Sequence, residues 1–185
     1  AYIFAIHIPI AGLALVPMLF ALPPLLMPLH IALLELVVDP SCSIAFENEP
    51  AEPQVMQCPP RDVHAPIFGF RQMWGSFFQG LCVLAATGAA YWQTMGCSVQ
   101  VQRAMVLLTL VTANAMLIFV NRARNPVALG IMALAMALAL ASVYSPWLAV
   151  PLGLAHLSVP QAMTALAFGV GSMVAAWLCL TWLRY

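Results

Sequence analysis

The chain contains no lysine. Six arginines and six acids make up all its charge, 6% of 185 residues, against about 25% in an ordinary soluble domain. So small a supply cannot cover a water-facing surface, which excludes a soluble globule. Formal net charge is zero with histidine neutral. Without a basic stripe to neutralise phosphates, nucleic acid is excluded as a partner. The five cysteines (Cys42, Cys58, Cys82, Cys97, Cys179) are odd in number and lack any CxxC spacing. They read as small buried apolar groups rather than as bridges or thiolate ligands. A basic signal leader is missing too. The chain opens at Ala1 inside an apolar stretch and reads as a piece of a longer protein.

What is present is apolar, 64% of the residues. With about 20 residues needed per spanning helix, the expected fold is an all-α membrane protein of six spans. They are marked at 1–22, 24–46, 67–94, 101–120, 126–148 and 160–183, with the lipid bilayer as their partner. The long hydrophilic stretch ENEPAEPQVMQCPPRDVHAP, at 47–66, separates the second span from the third. It holds five of the fifteen prolines and four of the six acids. Proline at that density excludes a helix and the acids exclude lipid, so a Pro-rich aqueous loop is expected. Arginine asymmetry sets the orientation. Arg61, Arg71, Arg122, Arg124 and Arg184 fall on the side of the termini and this loop, and only Arg103 falls opposite. Both termini and the loop are therefore expected in the cytoplasm. Gly130, Ala133, Ala137 and Ala141 of the fifth span form a small-residue seam, as do Gly169, Gly171 and Ala175 of the sixth. Both seams suit close helix packing.

Polarity enters the membrane at ELVVDP, residues 35–40. Glu35 and Asp39 are four apart and share a helix face. Each ionised carboxylate in a bilayer costs about 3 kcal/mol or more, and like charges on adjacent turns cost more. That arrangement is kept where a cation or proton sits between the groups. Pro40 withholds a donor from the carbonyl of Leu36 and is expected to interrupt the helix there. Two carboxylates and a loosened carbonyl offer the hard oxygens that Ca²⁺, Mg²⁺ or Mn²⁺ prefers. His7 in the first span is the other intrusion, and it reads either as a packing hydrogen bond or as a ligand and proton carrier. His30 faces either the same cavity or the outer interface. Thr109, Thr112 and Asn114 of the fourth span read as interhelical hydrogen bonding.

Residues 26–68, LMPLHIALLELVVDPSCSIAFENEPAEPQVMQCPPRDVHAPIF, resemble the sixth helix and following loop of P-type cation-transporting ATPases, in the calcium-pump-like bacterial branch. That family has a helix of the form NLVTDGLPA and then a loop like EPxxxxMxRPPRxxxxPIF. Glu49-Pro50, Glu52-Pro53, Met56, Pro59-Pro60-Arg61 and Pro66-Ile67-Phe68 stand in that order. The likeness extends over the chain, with residues 1–22 like the fifth helix and the last four spans like helices seven to ten.

The resemblance implies that Glu35, Asp39 and His7 stand at cation-ligand positions. Glu35 replaces an amide, His7 replaces another, and the fifth-helix carboxylate position is taken by Ile10. The transported ion it implies is Ca²⁺, another divalent cation, or a proton. A copper- or zinc-type Cys-Pro-Cys motif is not present. The parent pump would need ATP and Mg²⁺, a phosphorylation domain seated on loop 47–66, and four earlier membrane helices. The phosphorylation motif DKTG does not occur among these residues, so the chain alone is expected to hydrolyse nothing. The lysine-free, alanine-rich composition points to a GC-rich bacterium and its inner membrane. The competing expectation is a self-contained six-helix channel or secondary carrier for cations or protons.

Overall fold

A computed structural model describes residues 2–48, 69–121 and 125–182. Among them the chain forms seven helices and no strand: α1 (Tyr2–Leu19), α2 (Pro28–Glu47), α3 (Phe70–Gln93), α4 (Val99–Val120), α5 (Pro126–Tyr144), α6 (Pro146–Leu152) and α7 (Val159–Trp182). Five are long and apolar enough to cross a membrane: α1, α3, α4, α5 and the Val159–Leu178 part of α7. The expected second span corresponds to α2, whose side chains at 37–43, 45 and 46 lie outside the description. Glu47 and Asn48 close that helix, and the rest of the expected Pro-rich loop to residue 66 lies outside the described residues.

α4 is the core. Every residue from Ala104 to Ala115 is buried, as expected of a helix apolar on all faces. It packs against α7, α3 and α5, while α1 packs chiefly on α3 and α2 chiefly on α5. Glycine permits the closest of these approaches. A Cβ on Gly80 would lie 2.8 Å from the carbonyl oxygen of Ala5 and 2.7 Å from Cβ of Ile8, which locks α3 onto α1. Gly12 meets the side chain of Leu84 in the same seam, and Gly169 of α7 would place a Cβ 2.5 Å from Cβ of Thr112.

Three expectations are corrected. The fifth span ends at Tyr144, not 148, because Ser145 is extended at φ −91°, ψ 119° and α6 begins at Pro146. A residue before proline is pushed out of the helical region, and proline suits the first helical position. α2 runs unbroken through Asp39 and Pro40, where an interruption was expected. Proline withholds only its own N–H, and the neighbouring turns carry the helix past it. The seam of Gly130, Ala133 and Ala137 is exposed, with nothing near Gly130. The inward face of α5 is Ala128, Met132, Ala139, Ser142 and Val143. An alanine-rich helix has small residues on every face, so their spacing does not select one; the bulk of Met132 and Val143 does.

Candidate cation site

His7 lies beside the buried stripe of α1, which is Tyr2, Ala5, Ile6, Pro9, Ile10 and Leu13. Its Nδ1 is 2.8 Å from the carbonyl oxygen of Ile3, one turn back. A carbonyl only accepts, so Nδ1 carries the proton and donates it, which assigns the tautomer. Nε2 stands 3.6 Å from Oε1 of Glu35 on α2. That separation is too long for a direct hydrogen bond. Ligands each about 2.1 Å from one cation stand about 3 to 4 Å apart, so the gap matches a shared ion. Both side chains are partly open, at 44% and 38% exposure.

The fold thus brings together two of the three expected site residues. The third, Asp39, lies one turn further along α2, with its side chain outside the described residues. Among the described residues no three His, Cys, Asp or Glu side chains converge. The Leu36 carbonyl lacks the Pro40 donor, but no helix break opens it further.

His30 does not join the pair. It is fully buried; its Nδ1 accepts the N–H of Met27 at 3.1 Å, and its Nε2–H donates to the carbonyl of Leu152 at 2.6 Å. Thr112 is satisfied locally, its hydroxyl donating to the carbonyl of Leu108 at 2.7 Å.

The buried hydroxyl of Thr109 has no hydrogen-bond partner among the described residues, and Asn114 also departs from its expected reading. It is buried at 2% exposure, and neither atom of its amide has a hydrogen-bond partner. Leaving such a group unsatisfied costs about 1 to 3 kcal/mol. Its backbone carbonyl accepts from the hydroxyl of Tyr2 at 3.1 Å, which ties the start of α1 to this level of α4. The signal was legible: Asn114 is the one amide side chain between Arg103 and Val120. Helical spacing alone gave no reason to separate it from a bonded one.

No curated protein matches the chain. Residues 23–181 match the family described as cation transporting ATPase, C-terminus. Together with a bundle in which five helices suit a bilayer, this makes the chain a member of that family, the C-terminal membrane region of a P-type cation-transporting ATPase.

Proposed function

We propose that this region supplies the cation-binding part of an ATP-driven pump of the calcium-pump-like bacterial branch. Glu35, Asp39 and His7 are its ligands for the transported ion. The observation that carries the reading is His7 Nε2 facing the Glu35 carboxylate across the α1–α2 gap at 3.6 Å. Two carboxylates one turn apart on α2 favour a hard divalent ion, Ca²⁺ first. The imidazole nitrogen extends the range to Mn²⁺ and admits a proton as the alternative cargo. In this reading α2 is a sixth crossing and both ends of the region are cytoplasmic. The membrane is the inner membrane of a bacterium, and ATP and Mg²⁺ act on other domains of the pump. The phosphorylation domain bears on loop 47–66.

The test is ion-dependent phosphorylation and ATPase activity of the full-length pump over Ca²⁺, Mn²⁺, Mg²⁺ and pH. Asp39→Asn keeps the shape and loses the charge, so it abolishes ion-dependent phosphorylation. Glu35→Gln weakens ion affinity with less loss of turnover. Wild-type ion affinity and activity in Asp39→Asn would remove Asp39 from the site.

A further inference from the structure

Helix α6 closes with Gly153 in the left-handed region, φ 59°, ψ 38°, a common helix ending. The last carbonyls of any helix lack an intrahelical donor. Two in α6 are satisfied by its own turn: Gly153 N–H reaches the carbonyl of Val150 at 3.0 Å, and Leu154 N–H that of Ala149 at 2.9 Å. The carbonyl of Leu152 is satisfied from another helix, by Nε2–H of His30 at 2.6 Å. The second ring nitrogen accepts the N–H of Met27, the residue before α2 begins. One fully buried ring therefore joins the start of α2 to the end of α6. Arg103 of α4 secures the same end, its Nε donating to the carbonyl of Pro24 at 3.0 Å.

Further along α2, the side chains at 37–43, 45 and 46 lie outside the described residues. Leu36 and Ile44 are exposed, and the helix packs chiefly on α5. Because α2 is unbroken, roll and height fixed at His30 are transmitted to Glu35, about 7.5 Å along the axis. We infer that His30 is a positioning residue for the cation site: by clamping α2 to α6 it sets the attitude at which Glu35 faces His7. This rests on the pump reading above. The clamp needs a side chain that donates and accepts at once, which glutamine can do and leucine cannot.

Two measurements on the full-length pump test the inference. Spin labels at Ile44 and at Trp147 of α6, both exposed, report the distance from the far part of α2 to the clamp. His30→Leu broadens or shifts that distance distribution, and His30→Gln restores it. In unlabelled protein, His30→Leu raises the half-saturating cation concentration about tenfold, the lower end for lost support of a ligand, while maximal turnover holds. His30→Gln brings the value back. Should His30→Leu not accumulate in the membrane, His30→Asn, too short to span the two partners, is read in the same way. An unchanged distance distribution overturns the clamp. A changed distribution with unchanged half-saturation overturns the positioning role. Failure of His30→Gln to restore either overturns the donor–acceptor account. A wild-type pump stimulated by no cation rejects the pump reading instead, and the distance measurement still decides the clamp.

Discussion

At His7, the bond made by one ring nitrogen determines what the other can do. Donation from Nδ1 to Ile3 leaves Nε2 as the ring nitrogen that faces Glu35. If one ion occupies the gap, removing either ligand removes the same site, so the two losses do not multiply. His7→Phe and Glu35→Gln are each expected to raise half-saturating cation about tenfold, equal to about 1.4 kcal/mol. The double variant should sit near the worse single one. Titrating ATPase activity with cation in the four proteins checks this, and a rise of about a hundredfold in the double variant would show two independent sites. Sequence alone showed that Glu35 and Asp39 are costly in an apolar helix. It could not show that His7 meets Glu35, because periodicity orders residues within one helix and is silent about which helix lies opposite. The resemblance supplied that relation, and the coordinates supply the distance.

Among the elements, five of the six expected spans correspond to helices apolar enough to cross a membrane, and their ends are set by local chemistry. The end of α1 carries an oddity of that kind. Ala21 sits at φ 53°, while Leu22 N–H returns to the carbonyl of Pro17 at 2.8 Å, the bond pattern that usually places glycine at the left-handed position. A Cβ there is strained, so Ala21→Gly is expected to stabilise the protein by about 0.5 to 1 kcal/mol. Denaturant or thermal unfolding in detergent would register it; a loss of stability would mean the turn is set by something other than its cap. The two glycine readings separate as sharply. Gly80→Val drives a side chain into the backbone of α1 and should cost about 2 kcal/mol or more. Gly130→Val faces open space and should change unfolding by less than about 0.5 kcal/mol. The Ser145-Pro146 pair carried the signal for the α5–α6 break, yet the flanking residues are apolar enough that hydropathy ran across it.

For the molecule as a whole, the arginine asymmetry predicts the orientation, and the aromatic residues mark the two interfaces without choosing between them. Trp92, at the end of α3, and Trp147, in α6, are exposed on the side assigned outward, and Trp74 is ringed by Phe70, Phe77 and Phe78 near the other. Such rings gather at membrane interfaces. Cys97, exposed in the link between α3 and α4, should therefore react with an impermeant thiol reagent only from outside intact cells. Cys58, which lies outside the described residues, should react only in inverted vesicles. Labelling of Cys58 in intact cells would invert the orientation. Charge counting gives this expected orientation without any tertiary contact. The core could not be reached that way, since α4 differs little in composition from its neighbours and is central only by what surrounds it.

The glycine contact between α1 and α3 has a mechanical consequence. With Gly80 against the backbone of Ala5 and Gly12 under Leu84, those two helices have almost no freedom to slide or roll past one another, and they move as one rigid bar. His7 rides on that bar, whereas Glu35 rides on α2, which touches α1 only slightly. The gap between them is thus the opening of a caliper with one fixed jaw. If the proposed ion sits in that gap, a small tilt of α2 would widen it, and release would need no rearrangement within α1.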